Sequence, residues 1–294
     1  MKLARLQIAG KDIIAIKTNK GVYDISNVRN FNGSDIVEFV NSAGSQLETL
    51  EDDILKASGA KEIDLSSAKF LPPVARPGKI ICLGLNYVKH AAEGGFTPPD
   101  YPVVFFRGPT SLTPHNGPIK IPANSDKLDY EGEMAVIIGK SAYCVSEDEA
   151  LDHVAGYSMF NDGTIRDYQK RTHQWTIGKN FDSTGGFGPF MVTPDELPAG
   201  AKGLRITTKL NGKVMQDATT ADMIFSVAKT IKLMSECLTL EPGDVIVSGT
   251  PEGVGYARTP SIFMKTGDEV TVEIEKIGKL INTVEPMSSV IDRN

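Results

Sequence analysis

The chain has 294 residues, 40% hydrophobic and 23% charged, an ordinary globular make-up with ample material for a core. Its net charge of −6 and pI near 5.4 exclude the basic surface that nucleic acid or an anionic membrane would require. No run reaches membrane-spanning length, and Met1-Lys2-Leu3-Ala4-Arg5 leads into alternating residues without the apolar stretch of a signal peptide. Cys82, Cys144 and Cys237 are odd in number and far apart, which reads as reduced packing residues in a cytoplasmic protein.

This length exceeds the usual single domain, so a small domain beside a large one is expected. Residues 2–25 read as a meander of short strands with turns at Gly10-Lys11 and Asn19-Lys20-Gly21. A polar helix is expected around Ser45 to Lys56, its acidic side chains forming a solvated face. Pro72, Pro73 and Pro77 then disfavour helix and central strand alike, which marks a linker. The division falls near residue 70: a small N-terminal α/β domain over 1–70, and the chemistry within 71–294.

Lys79 to Leu83 is the next expected strand, ending in Gly84-Leu85-Asn86-Tyr87. His90 and Glu93 follow three apart, so one helical turn puts them on one face. They form either a dyad that activates water or a surface ion pair. Gly94-Gly95 and Pro98-Pro99 release the chain afterwards, giving a turn suited to move as a lid. Another strand is expected over Tyr101 to Phe106, and His115, between prolines, reads as a loop residue.

Glu131 and Glu133 stand at the entrance to the apolar run Met134 to Ile138. A strand has a side-chain period of two, so both carboxylates point to one side and Gly132 to the other. Asp162 ends a second apolar segment, Val154 to Phe160, and can bring a third carboxylate to the same place. Three hard oxygen donors without a Cys or His pattern suit Mg²⁺, Mn²⁺ or Ca²⁺ rather than Zn²⁺. Glu-Gly-Glu would equally serve as a charged sheet edge that discourages aggregation. Between these strands, Ser146 and Glu149 spell a capping box for a helix closing near Gly156, with His153 at its end.

Beyond Asp162, Thr164 is placed to cap a helix carrying Arg166 and Gln169 on one face. Lys179 lies in a glycine-rich segment, and with that guanidinium and amide it makes an anion cradle. Lys170 and Arg171 read as solvated, and Trp175 as packing. Asn211-Gly212 marks a hairpin, and Ile224, Val227, Ala228, Ile231, Met234 and Leu238 give a core-facing helix. Glu241-Pro242-Gly243-Asp244 is a type II turn, and Lys265-Thr266-Gly267-Asp268 repeats it before a final hairpin. Ser248-Gly249-Thr250-Pro251-Glu252-Gly253-Val254-Gly255 lacks the Gly-Lys-Ser/Thr ending of a phosphate loop, which excludes an NTPase. Its amides and the Thr250 hydroxyl are candidates to grip a carboxylate.

Taken in order, these segments over residues 70–285 resemble the fumarylacetoacetate hydrolase family. The resemblance rests on Gly84-Leu85-Asn86-Tyr87 with His90 and Glu93, on Asp129-Tyr130-Glu131-Gly132-Glu133, and on Asn161-Asp162. It continues through Lys179-Asn180-Phe181-Asp182, Gly188-Pro189, Pro242-Gly243-Asp244-Val245-Ile246 and the 248–255 loop. It implies an α+β fold, a β-rich mixed-sheet roll with flanking helices, assembled as a homodimer. It further implies Mg²⁺ or Mn²⁺ on Glu131, Glu133 and Asp162, with His90 and Glu93 as the water-activating pair and Lys179 beside them. Arg166, Gln169, Lys179 and Thr250 fall where the family contacts the oxo-acid end of its substrate, with Lys179 counted among the catalytic residues. Two departures stand out: Arg107, where relatives often carry Lys, and a longer stretch from Arg171 to Thr176.

The expected activity is metal-dependent hydrolytic cleavage of a C–C bond in a 1,3-diketo acid of the acylpyruvate type, through an enolate that the metal stabilises. The alternatives on the same residues are decarboxylation of oxaloacetate or a related β-oxo acid, and isomerisation or hydration of an unsaturated 2-oxo acid. A non-catalytic ligand-binding protein on the same fold is the alternative from another class.

Overall fold

Met134 to Ile138 is apolar at every position, and a strand apolar on both sides belongs inside a sheet covered on each face. In the computed structural model, which describes residues 1–26, 35–43, 56 and 61–287, the strand Gly132–Ile138 is buried throughout. It pairs antiparallel with Val154–Asp162 on one side and Val245–Val247 on the other. Outward from Val245–Val247 the sheet runs through Ile80–Gly84, paired in parallel, to Val103–Arg107. In the other direction it passes through Gly185–Val192 to Lys2–Ile8, then Lys11–Lys17, Val22–Asp24 and Lys61–Glu62.

A second sheet runs Lys213–Thr219, Arg205–Leu210, Glu269–Ile274, Gly278–Pro286 and Ile119–Ile121. Its Ile206, Val272, Ile274 and Leu280 pack with Met134, Val136 and Ile138, joined by Val227, Ile231 and Met234 of the helix Val227–Ser235. Ala135 and Ile137 point the other way, into a cluster with Val245, Val247 and the helix Ile36–Ala43. The result is a mixed-sheet α+β roll with flanking helices, preceded by an N-terminal region. The alternation also settles where the acidic pair goes. Glu131 and Glu133 continue the Ala135–Ile137 side, while Gly132 backs onto the second sheet, where an added Cβ would stand 2.0 Å from Thr208 Oγ1.

The turns form as their residues require. Asn211 and Gly212 both take positive φ, 51° and 77°, as a two-residue type I′ hairpin demands. Gly243, at φ 88°, sits where a type II turn needs it, and Asp244 N donates to Glu241 O at 2.9 Å.

Several local expectations change. Ser146 Oγ does donate to Glu149 Oε2 at 2.6 Å, yet no α-helix follows. A short 3₁₀ turn, Ala150–His153, leads straight into the strand at Val154, because pairing with Ile138 claims that backbone. Thr164 is not a cap: its hydroxyl donates to Asp162 O at 2.7 Å, and Ile165 precedes the helix Arg166–Gln169. The proline-rich stretch expected as a linker has neither helix nor strand over residues 72–79, and before it the strand Lys69–Leu71 pairs with Arg5–Gln7. The helix expected around 45–56 lies outside the described residues, apart from Lys56.

Candidate active site

Antiparallel pairing sets Gly132 opposite Asn161, so Glu131, Glu133 and Asp162 arrive at one level on neighbouring strand ends. Two bonds lock this register: Asp162 N to Glu131 O at 2.8 Å, and Glu131 N to Asn161 Oδ1 at 2.9 Å. Oxygens of the three carboxylates all lie within 4.8 Å of one another, and all three residues are buried.

Such a cluster repels itself unless cations intervene. Lys179, at the end of the helix Thr176–Lys179, places its ammonium 2.6 Å from Glu131 Oε2 and 2.6 Å from Asp162 Oδ2. Arg166 donates to Glu131 Oε1 at 2.5 Å, to Asp129 Oδ2 at 2.8 Å and to Gln169 Oε1 at 2.9 Å. Arg107 donates to the other oxygen of Asp162. Burial raises Glu131, but Arg166, Lys179 and His90 together outweigh it and hold its carboxyl down at about 2. Glu133 has no ion-pair partner among the described residues; it accepts only Gly249 N–H, at 2.6 Å. Burial, then the charges of Asp162 and Glu131, push its carboxyl well above the usual range. Four carboxylates, Asp129 included, therefore face three buried cations. A hard divalent ion among Glu131, Glu133 and Asp162 is the group that this oxygen-only donor set fits.

The helix Val88–Glu93 brings His90 to the cavity that Glu131 and Glu133 also line. His90 Nδ1 lies 2.8 Å from Glu93 Oε1, and Glu93 Oε2 accepts Gly253 N–H at 2.8 Å. A carboxylate beside Nδ1 selects the Nδ1–H tautomer, leaving Nε2 free to take or give a proton. The dyad is therefore an organised pair held from two sides.

A cavity of about 80 Å³ runs between helix and carboxylates, and His90, Glu131, Glu133, Arg166, Gln169, Lys179 and Thr250 all line it. Asp162 and Glu93 stand one contact behind, against Lys179 and His90. Thr250 donates its hydroxyl to Gly132 O at 3.0 Å and accepts from Gln216 Nε2 at 2.8 Å. Trp175 and Lys170 were expected to pack and to be solvated; both also form cavity wall, Trp175 lying edge-on to Phe105. His115 is structural: its Nδ1 accepts Ile281 N–H at 3.0 Å, and burial lowers its pKa to about 4.

Asp129 and Gln216 escaped the sequence reading of the site, and Arg107 entered it only as a departure from relatives, with no contact to Asp162 expected. Asp129 accepts Arg166 and the amides of Gly255 and Tyr256, and Gln216 also accepts Gly132 N–H at 3.0 Å. Carrying the period of two back one step from Glu131 would have reached Asp129. Nothing local marks the other two, whose roles come from distant strands.

The family model for the fumarylacetoacetate (FAA) hydrolase C-terminal domain matches residues 79–285. The chain is 41% identical over 230 residues to the oxaloacetate tautomerase YisK of Bacillus subtilis, covering 77% of this chain and 76% of that one. It is 40% identical over 221 residues to the human mitochondrial oxaloacetate tautomerase FAHD2A, covering 74% and 70%. Among solved structures, the maleylpyruvate hydrolase of Sphingobium sp. SYK-6, in complex with manganese (II) and pyruvate, superposes with a TM-score of 0.80 at 25% identity. That match covers 98% of this chain and all of the other. Sequence, fold and buried acidic cluster agree: the chain belongs to the fumarylacetoacetate hydrolase family.

Proposed function

We propose that this protein is a divalent-metal-dependent enzyme of short 2-oxo acids, and that its reaction is keto–enol tautomerisation of an oxaloacetate-type oxo diacid. The observation that carries this reading is His90, held through Nδ1 by Glu93 on the wall of a cavity whose floor carries Glu131 and Glu133. The relatives named as oxaloacetate tautomerases support it.

Glu131, Glu133 and Asp162 would hold Mg²⁺ or Mn²⁺, whose charge stabilises negative charge on the 2-oxo oxygen and the neighbouring carboxylate. Gln169, held by Arg166, orients the acid from the side, and Lys179 fixes Glu131 and Asp162 at their positions. His90 exchanges the proton at C3 through Nε2, while the proton of the enol oxygen is lost to solvent or to a neighbouring base. The walls Phe105 and Trp175 limit water around the exchanging carbon.

The test follows decay of the ultraviolet enol absorbance of oxaloacetate with Mg²⁺, with Mn²⁺ and after chelation. Acceleration that chelation abolishes is expected, and decay no faster than in buffer would end the reading. His90→Ala should lower turnover by roughly 10²–10⁴-fold with metal affinity nearly unchanged. Hydrolytic C–C cleavage stays as a second reading because the same dyad can activate water and one structural neighbour is named a maleylpyruvate hydrolase. Stoichiometric pyruvate from an acylpyruvate would favour it, and CO₂ from oxaloacetate would favour decarboxylation. The homodimer is likewise a proposal, checked by light scattering.

A further inference from the structure

The buried cations of the cavity are already committed: Lys179 to Glu131 and Asp162, and Arg166 to Asp129, Glu131 and Gln169. Lys170 differs. It lines the same cavity but is exposed, and its ammonium has no carboxylate partner among the described residues. It follows Arg166 by four residues, so one turn carries the chain from the acidic floor to the mouth. Tyr256 stands between them, with Arg166 over its ring at 4.3 Å and Lys170 at 4.5 Å. Tyr256 is itself anchored by its N–H to Asp129 at 3.0 Å. Its hydroxyl reaches the Val88–Glu93 helix end, where a Cβ on Gly94 would lie 2.8 Å away. A ring face orients an ammonium without neutralising it and leaves its N–H donors free.

We infer that Lys170 reads the second carboxylate of the substrate and selects oxo diacids over oxo monoacids, with Tyr256 positioning its ammonium. This deepens the oxo-acid reading above and rests on it. An acid whose 2-oxo-carboxylate end lies at Glu131 and Glu133 has its far end directed to the mouth, where Lys170 supplies the unspent positive charge.

The test compares oxaloacetate with 2-oxobutanoate, which carries a methyl group in place of the distal carboxylate. Binding to the Mg²⁺-loaded full chain is measured by calorimetry for wild type, Lys170→Met and Lys170→Arg. Loss of one charge-assisted bond at the mouth should weaken oxaloacetate about tenfold in Lys170→Met and shift 2-oxobutanoate less than about twofold. Lys170→Arg should retain most of the preference. Equal weakening of both acids, no weakening of either, or a wild type that does not prefer the diacid would each overturn the assignment. If wild type shows the preference but does not accelerate enol decay, the tautomerase reading fails while Lys170 keeps its role in binding.

Discussion

Lys179 decides the state of the acidic cluster, because its single ammonium is shared at 2.6 Å by two carboxylates from different strands. Burial lowers the pKa of that ammonium, but Asp162 and Glu131 outweigh the effect and raise it, so it stays charged. Lys179→Met should therefore cost about 3–5 kcal/mol in the metal-free protein, the scale for removing one partner of a buried ion pair. Saturating Mg²⁺ should recover part of that loss by lying among the same oxygens. Melting curves with chelator and with Mg²⁺ give the answer. An identical drop under both conditions would mean that Glu131, Glu133 and Asp162 do not share one cation.

At the scale of the element, the strand Gly132–Ile138 carries chemistry on one side and packing on the other, and Gly132 is where both meet. Gly132→Ala drives a methyl into Thr208 Oγ1, so a loss of about 1–3 kcal/mol is expected by analogy with overpacked cores. Thr208→Ala in the same chain should return part of it, since that oxygen is then gone. Failure of the double variant to recover in thermal melts would mean that the clash is not the cause. The same strand shows what could be read in advance. Its period of two put Glu131 and Glu133 on one side and Gly132 on the other, because that inference needs only local geometry. The His90–Glu93 contact was legible for the same reason, one helical turn. The contacts of Arg107 with Asp162 and of Gln216 with Gly132 and Thr250 were not, since side chains from unpaired strands, 55 and 84 residues away in sequence, leave no local trace. The capping box at Ser146 formed its bonds and still opened no helix. Strand pairing outweighed a signal worth about 1 kcal/mol.

Over the whole molecule, the N-terminal strands extend the sheet that carries the site: Leu3 pairs with Met191, and Met191 packs in the cluster that holds Ala135 and Ile137. We propose the division near residue 70 as a boundary of the matched family region rather than of folding. A chain beginning at residue 71 would leave Met191 and Val192 without their partner strand Lys2–Ile8, at the end of Gly185–Val192 that Leu112–Pro114 does not cover, and should aggregate. A monodisperse, cooperatively melting fragment would show that the two parts fold separately. His115 ties distant segments together and sets a pH limit. Its folded pKa of about 4 lies below the ordinary 6.5, so the unfolded chain takes up the proton first. Its contribution is thus intact above about 6.5 and is lost as pH falls toward about 4. His115→Gln should flatten that part of the melting-temperature profile, and an unchanged slope would assign it to other groups.

Glu93 uses one oxygen on the imidazole of His90 and the other on the amide of Gly253, and this has a kinetic consequence. A helix moving as the expected lid would break the second bond and leave Glu93 held by His90 alone. Opening and proton exchange would then be coupled through the Gly253 amide. Solvent viscosity should accordingly slow a Glu93→Gln variant less than wild type; equal sensitivity would show that latch and base work independently.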